Sequence, residues 1–238
     1  MPWRGGAKGT TIMSRSLRAV ALAVAGVCVC SLPASAETQI SVFGGANWNF
    51  KSDVTLSNSA IGNDDRSIGW DGGGFETPPY WGVRGTYWLS KNSPWGFAVE
   101  YTHQKAIADL DFSSDPKYTH LEFTDGNNLV LLEALYRFSP MMNGTLVPYF
   151  GAGIGVTVPH VEVTLKTGDR TFEYQCCGLA AQIMAGLEYK LTDAWSLFTE
   201  AKLSYSHIDA DLNGGGTLET DLWSPALAIG LTYRFPGN

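Results

Sequence analysis

The stretch of residues 146–162, LVPYFGAGIGVTVPHVE, restricts the fold more than any other part of the chain. Small and apolar residues alternate along it with a period of two, which predicts a β-strand, because successive side chains of a strand point to opposite faces. One face would carry Phe150, Ala152, Ile154, Val156 and Val158, whereas the other carries mostly glycine. An apolar outer face and an almost empty inner face indicate a closed barrel whose interior is filled by side chains of other strands.

The first 36 residues predict an export signal rather than part of the fold. Four basic residues precede or enter an apolar segment at 19–30, and residues 34–36 read Ala-Ser-Ala, a cleavage signal of the A-x-A type. We therefore expect a signal peptide at 1–36 and one domain at 37–238. Two of the four cysteines leave with the signal, and we interpret Cys176 and Cys177 as small unpaired residues, because neighbours in a strand face opposite ways.

Composition narrows the class of protein further. Only 16% of the residues are charged, against about a quarter in typical globular domains. Removing the four basic residues of the signal from the chain's 16 Lys and Arg leaves 12 against 23 Asp and Glu. We expect no nucleic-acid partner for so acidic a chain. Direct attraction to anionic lipopolysaccharide would need divalent cations to bridge the two.

Eight segments have the length and alternation of membrane-spanning strands. They are residues 38–49, 79–89, 95–106, 128–138, 147–158, 176–191, 195–207 and 222–235. Short connections at 90–94, 139–146 and 192–194 alternate with long ones at 50–78, 107–127, 159–175 and 208–221. This pattern predicts an all-β fold, an eight-stranded antiparallel transmembrane β-barrel of the bacterial outer membrane. Long loops would be extracellular and both termini periplasmic, and we expect a monomer.

Alternation along these strands assigns nine charged residues to the barrel interior. They are Arg84, Glu100, Glu133, Arg137, Glu188, Lys190, Glu200, Lys202 and Arg234. An eight-stranded barrel has no room for an aqueous channel, so we expect these charges to pair with one another. A soluble lipocalin-like barrel would instead place its apolar face inward. Aromatic residues near the strand ends are typical of the interfacial girdles of membrane barrels.

Three of the four histidines are followed two positions later by an acid. The pairs are His120 and Glu122, His160 and Glu162, and His207 and Asp209. In an extended chain the two side chains of each pair share a face. Each pair could supply metal ligands or a base with its orienting acid, and each could equally be a solvated loop end.

Topology predicts that several of these residues meet at one mouth of the barrel. His103 and Lys105 end the third strand, Glu122 and Asp125 precede the fourth, His160 and Glu162 follow a break expected at Pro159, and Glu173 precedes the sixth. Consecutive strands are neighbours, so these residues would form one rim. Such a rim suits a divalent metal, or a lipid phosphate bridged by one. The expected metal ligands are His160, Glu162 and Glu122.

Two further features bear on the class of enzyme. Glycine-rich segments at 70–80 and 211–220 contain the acids Glu76 and Glu219, and such segments can wrap a ligand but are also common loop tips. A serine-dependent lipid A deacylase is an alternative. Ser206 and His207 are adjacent and face apart, which weakens that interpretation without excluding partners on different strands.

Seven segments of the chain resemble those of a known family. They are FETPPYWGVR at 75–84, YTHQK at 101–105, LEFTDGN at 121–127, PYFGAG at 148–153, VPHVE at 158–162, FEYQ at 172–175 and GGGTLE at 214–219. They are similar to a group of small outer-membrane barrels that includes the rhizobial lipid A oxidases. The resemblance implies oxidation of the proximal glucosamine of lipid A to 2-aminogluconate by molecular oxygen, with lipopolysaccharide as partner.

On this resemblance we expect His103 or His160, oriented by Glu122 or Glu162, to remove a proton from the sugar. The candidate substrate contacts are Arg84, Lys105, Glu76, Asp125, Glu173 and Glu219. Oxygen chemistry is difficult for side chains alone, so a divalent metal is the expected cofactor. A structural or adhesive barrel without turnover is the alternative from another class of function.

Overall fold

The computed structural model describes residues 36–74 and 77–236, which form twelve β-strands and one short 3-10 helix at Met142–Gly144. The strands are β1 Glu37–Asn47, β2 Ser52–Ser57, β3 Asp64–Ile68, β4 Trp70–Asp71, β5 Tyr80–Trp88, β6 Trp95–Ala108, β7 Tyr118–Arg137, β8 Leu146–Leu165, β9 Arg170–Tyr174, β10 Gly178–Lys190, β11 Trp195–Asp211 and β12 Thr217–Arg234. The predicted signal peptide lies outside the described residues, apart from Ala36. Within the described part, no helix is long and apolar enough to cross a membrane.

Eight of these strands close into an antiparallel ring. Its order is β1, β5, β6, β7, β8, β10, β11, β12, and β12 then pairs with β1 from Gln39↔Arg234 to Asn47↔Ala226. Each strand hydrogen-bonds to two neighbours, so the ring has no open edge. The predicted eight-stranded barrel is confirmed, and each of the eight predicted segments contributes one strand. The first residues of β1 and the last of β12 lie at the short-turn end.

The long connections, however, are only partly loops, because strands extend into them. β7 begins ten residues before its predicted start, and β8 runs through Pro159 to Leu165, so the break expected at Pro159 is wrong. The register of β7 shifts between Glu122 and Asn127 beside this proline, and a residue without an N–H is tolerated at such an irregularity. Its carbonyl is satisfied by the backbone N–H of Gln175 at 3.0 Å.

The extended strands surround an apolar core at the long-loop end. β2 pairs with β12, β4 with β6, and β9 with β8, which adds short strands to the continuing wall. The residues buried between them include Leu56, Trp70, Phe123, Val161, Ile208 and Leu218. Burying such side chains contributes about 1.5–3 kcal/mol each. This burial explains why segments with weak strand patterns continue the barrel wall instead of forming solvated loops.

The glycines of β8 face the interior, as the sequence predicts, and their space is filled by neighbours. A Cβ on Gly151 would meet the side chain of Leu135, and one on Gly153 would meet Glu133. At Gly155 a Cβ would overlap the backbone carbonyl of Val130 on β7. Only a residue without a side chain therefore allows β7 and β8 to approach this closely.

We expect Gly155→Ala to destabilise the barrel by about 1–3 kcal/mol, the usual cost of overpacking, because the Val130 carbonyl belongs to a paired strand and cannot move alone. Gly85→Ala is the matched control, since a Cβ there has no atom within 4 Å. Urea unfolding of the refolded protein in vesicles measures both. Equal unfolding midpoints for the two variants would contradict this account of the glycine face.

The charges inside the barrel form a buried network, as expected. Arg84 donates to Glu200 at 2.6 and 2.8 Å and to Glu100 at 2.8 Å, and Lys202 donates to Glu100 at 2.7 Å. Glu133 accepts from Gln182 at 2.9 Å. At the short-turn end, Glu37 accepts from Arg137 at 3.2 Å and Arg234 at 2.8 Å, and Arg234 also reaches Glu188 at 2.7 Å. In the middle of the lumen, Arg84, Glu100, Glu200 and Lys202 therefore have one another as partners in place of water. Lys190, also predicted to lie inside, lines a cavity at the short-turn end instead.

The outer face carries an apolar band between two sets of aromatic contacts. Leu132 and Ile154, in the middle of β7 and β8, are 67% and 69% exposed. Towards the short-turn end, Trp95 contacts Tyr136 and Trp195 contacts Tyr233, each with ring centroids 4.9 Å apart. Towards the long-loop end, Trp81 contacts Tyr101 and Tyr205 contacts Trp223. These are the interfacial girdles and lipid-facing surface of a membrane barrel. Cys176 and Cys177 lie just before β10 with their sulfur atoms next to each other, and their interpretation as unpaired residues stays a prediction.

One carboxylate connects the β6–β7 loop to the β2–β3 hairpin. Asp115 accepts the backbone N–H groups of Lys117 and Tyr118, each at 2.8 Å, and pairs with Arg66 at 2.7 Å. Burial opposes ionisation of Asp115, but these hydrogen bonds and the Arg66 charge outweigh it and hold its pKa below the usual range. Because the pKa is depressed in the folded state, this stabilisation is complete above the unfolded-state pKa of about 3.9. It is lost as the pH falls through the folded-state pKa.

We therefore expect protection of the 109–117 backbone against hydrogen exchange to stay constant from neutral pH to about pH 5 and to decrease below about pH 4. Asp115→Asn should lower the protection at neutral pH and remove the acid step, since an amide does not titrate. An acid step that persists in Asp115→Asn would assign the pH dependence to another group.

Candidate functional site

The histidine and carboxylate residues of β8 continue its lipid-facing stripe. Phe150, near the short-turn end, is followed on the same face by Ile154, Val158, His160 and Glu162. Ten residues separate Phe150 from His160, about 33 Å along the strand or about 25 Å of height at the tilt of a membrane barrel. That height equals the height of the apolar band of such barrels. His160 therefore lies at the border between the apolar band and the polar end.

Five side chains from β7 and β8 meet at this border and form what we call the outer-wall cluster: His120, Glu122, Asp125, His160 and Glu162. The strands are paired here at Glu122↔Glu162. His120 Nε2 lies 3.0 Å from Glu122 Oε1 and 4.0 Å from Glu162 Oε2. His160 Nδ1 lies 3.0 Å from Glu162 Oε1 and 3.7 Å from Asp125 Oδ2. Glu162 thus contacts both histidines, one with each carboxylate oxygen.

The cluster has a buried half and an accessible half. The His160 side chain is 5% exposed, whereas the His120 side chain is 41% exposed. The rings of Phe172 and Tyr174 on β9 cover His160, each with its centroid 4.5 Å from the imidazole. Burial, with Asp125 and Glu162 nearby, raises the pKa of Tyr174, whose hydroxyl donates to the Asp125 carbonyl at 3.0 Å. The Glu162 side chain beside His160 is 10% exposed, so its charge is shielded from solvent, whereas the Asp125 side chain is 53% exposed.

The register shift of β7 positions Asp125. The pairing with β8 stops at Glu122 and resumes at Asn127, and Gly126 adopts a φ of +113° within this irregularity. A bulge redirects side chains locally, and glycine tolerates the backbone conformation. The hydroxyl of Thr124, also within it, lies 2.8 Å from Glu122 Oε1 and 3.0 Å from Glu162 Oε1, and its one hydrogen is shared between these two acceptors. The hydroxyl holds the two glutamates beside each other.

His103 lies on β6, on the other side of this irregularity. Its Nδ1 is 3.0 Å from Asn128 Oδ1, which also accepts from the Tyr101 hydroxyl at 2.7 Å. The Trp81 indole stacks beside the imidazole at 6.2 Å between centroids. His103 is buried, and its Nε2 has no hydrogen-bond partner among the described residues. Lys105, two residues further along β6, is also buried.

The remaining predicted site residues lie elsewhere. Arg84 is in the lumen, where carboxylates surround its guanidinium. Glu173 alternates with Phe172 and Tyr174 on β9 and so points away from the face that covers His160. Glu219 is on β12, 3.9 Å from His207, on a different part of the wall. Glu76 lies outside the described residues. Arg84, Glu173 and Glu219 are therefore not part of the outer-wall cluster.

The predicted rim changes in position, and His207, paired from sequence with Asp209, contacts Asp221 instead. The expected rim at the mouth is wrong in one respect: the cluster faces laterally from the barrel wall, because the strands continue past the predicted loop ends and the apolar core occupies the mouth. Ser206 and His207 face apart as expected, with Ser206 buried and bonded to Asn127 at 2.7 Å and His207 paired with Asp221 at 2.8 Å.

Sequence reasoning missed Thr124, Phe172 and Tyr174, which enclose the cluster, and Asn128, which contacts His103. The i, i+2 spacing of Phe172 and Tyr174 is a strand signal, but it is too short to distinguish from a loop without the pairing of β9 to β8.

The donors of the outer-wall cluster are imidazole nitrogens and carboxylate oxygens. Two sets of three potential ligand atoms lie within 4.8 Å of one another, namely His120, Glu122 and Glu162, and Asp125, His160 and Glu162. Mixed nitrogen and oxygen donors suit first-row divalent metals. The same groups can also act as a base with an orienting acid.

Comparisons with known proteins found one family model and several solved structures that the chain resembles. Similar solved structures include Neisserial surface protein A (16% identity, 84% of this chain and 97% of that chain covered, TM-score 0.40) and OprG from Pseudomonas aeruginosa (12%, 84% and 97%, 0.47). Ail, the attachment invasion locus protein of Yersinia pestis, solved with the heparin analogue sucrose octasulfate, is also similar (14%, 84% and 99%, 0.38). No curated protein sequence matches. The family model described as the outer membrane protein beta-barrel domain matches residues 19–235. The chain therefore belongs to the outer membrane protein β-barrel domain family.

Proposed function

We propose that the protein is an outer-membrane enzyme of the lipid A oxidase type, with its long-loop end at the cell surface and both chain ends in the periplasm. The observation that carries the proposal is the outer-wall cluster, a partly buried group of two histidines and three carboxylates at the edge of the lipid-facing surface. In this orientation the cluster would lie at the level of the outer-leaflet headgroups. The proximal glucosamine of lipid A is at the same level.

The resemblance of seven segments to the lipid A oxidases supplies the reaction. Oxidation would remove two electrons and two protons from the anomeric carbon and its hydroxyl, with molecular oxygen reduced to hydrogen peroxide. The resulting lactone would take up water to give 2-aminogluconate. The substrate must therefore carry a free anomeric hydroxyl.

Residues beside the cluster suit the proton transfers of this reaction. His103, whose Nδ1 lies 3.0 Å from Asn128 Oδ1 and whose Nε2 has no hydrogen-bond partner among the described residues, would accept the proton of the anomeric hydroxyl as a general base. His160, held at 3.0 Å by Glu162, would instead serve as a metal ligand. His103 and Lys105 on β6 would contact the sugar or a phosphate of the lipid. A divalent metal bound by Asp125, His160 and Glu162, one of the two sets of potential ligands, would supply the reactivity towards oxygen that side chains lack.

The test is mass spectrometry of lipid A with a free anomeric hydroxyl, incubated with the protein purified in detergent. We expect a product heavier by one oxygen atom in air, none without oxygen, and none after chelation. A product lighter by one acyl chain would replace the proposal with a deacylase. Unchanged lipid A, with the barrel folded, would favour a structural or adhesive barrel.

A further inference from the structure

The two potential ligand sets of the outer-wall cluster share one residue, Glu162. Its Oε1 faces His160 and its Oε2 faces His120. Each histidine also has a carboxylate of its own, because His120 lies 3.0 Å from Glu122 and His160 lies 3.7 Å from Asp125. The arrangement is one imidazole and one terminal carboxylate on each side of a shared carboxylate.

We propose that this cluster binds two divalent transition-metal ions, bridged by Glu162. One ion would be held by His120, Glu122 and Glu162, and the other by Asp125, His160 and Glu162. In two-metal sites the ions lie about 3.5–4 Å apart, which one bridging carboxylate spans. One imidazole with two carboxylates per ion suits manganese or iron. The inference rests on the proposed function in taking this cluster as the reactive site.

The distances favour two ions over one. Ligand atoms of one ion lie about 2.0–2.2 Å from it, and must therefore lie within about 4.4 Å of one another. Among the described residues, each of the two compact sets, whose ligand atoms lie within 4.8 Å of one another, contains one histidine, and neither set contains both histidines. A single ion could therefore use His120 or His160 in this arrangement, and would leave the other histidine without a role in binding.

The charges of the cluster favour bound metal. Glu122, Asp125 and Glu162 contribute three negative charges, and the side chains of His160 and Glu162 are 5% and 10% exposed. Imidazole binds metal in its neutral form, so one divalent ion would leave a net charge of −1 on the cluster and two would leave +1. The distances, and not the charges, therefore decide between one ion and two.

Metal binding can be measured without any lipid substrate. We expect the purified protein, stripped with chelator and titrated with manganese, to bind two ions per chain, measured by mass spectrometry of the metal and by electron paramagnetic resonance. Two bridged manganese ions should give an exchange-coupled signal instead of the six lines of an isolated ion. Glu122→Gln should leave one ion, bound by Asp125, His160 and Glu162, and Glu162→Gln should remove the coupled signal.

His207→Gln is the matched control, because His207 also contacts a carboxylate at 2.8 Å but belongs to neither compact set. It should retain two ions. Circular dichroism and heat-dependent gel migration show whether each variant is folded, and folded variants alone are compared. One ion in the unmodified protein, or none, would overturn the inference. Two bound ions without lipid A oxidation would overturn the proposed function and leave the two-metal centre standing.

Discussion

Glu162→Gln is expected to lower the rate of the proposed lipid A oxidation by at least about 100-fold, because loss of a ligand should cost at least as much as the 10–100-fold typical of residues that only support ligands. Glu162 is the residue common to both ligand sets and the partner of His160 at 3.0 Å. The amide keeps the size of the side chain but not its charge. The measurement is the initial rate of product formation by mass spectrometry, with oxygen and metal in excess.

Asp65→Asn is the control for this variant, since Asp65 is an exposed carboxylate on β3, outside the outer-wall cluster. It should oxidise lipid A at the rate of the unmodified protein. If Glu162→Gln folds and retains more than a tenth of the rate, the outer-wall cluster is not the reactive site, whatever metal it binds.

Arg84→Met should destabilise the barrel by about 3–5 kcal/mol, the usual cost of removing one partner of a buried ion pair. The guanidinium donates to Glu200 and Glu100, and it lies 3.3 Å from Glu133. Methionine fills a similar volume without charge, so three buried carboxylates would be left with Lys202 as the remaining cation of the network. Unfolding by urea in lipid vesicles, followed by tryptophan fluorescence, measures the change.

Two further variants show whether charge or geometry causes this loss. Arg84→Lys keeps the charge but not the two-pronged contact with Glu200, so we expect an intermediate cost. Arg170→Met removes an exposed guanidinium that stacks on Phe172, and exposed charges contribute about 0–1 kcal/mol. Equal stability of Arg84→Met and Arg170→Met would show that the luminal network helps to select one fold but does not stabilise it.

The candidate site was predictable in part. The two-residue spacing of His160 and Glu162 places both on one face of a strand, and the order of the strands makes Glu122 their neighbour. Asp125 could be assigned to the same region but not to the same face, because it lies in a register shift that no periodicity reveals. The covering rings of Phe172 and Tyr174 depend on β9, a strand that exists because it pairs with the extension of β8.

The sequence by itself determined the number of barrel strands, the direction of their side chains and the charged residues of the lumen. Each of these follows from a period of two within one strand, which is a local property. Only the tertiary structure decided that the strands continue beyond the membrane and that the outer-wall cluster faces laterally instead of lining a mouth. The reason is the apolar core at the long-loop end, where Trp70, Phe123, Val161 and Leu218 come from separate segments. Their burial stabilises the extended strands only when all of those segments are together.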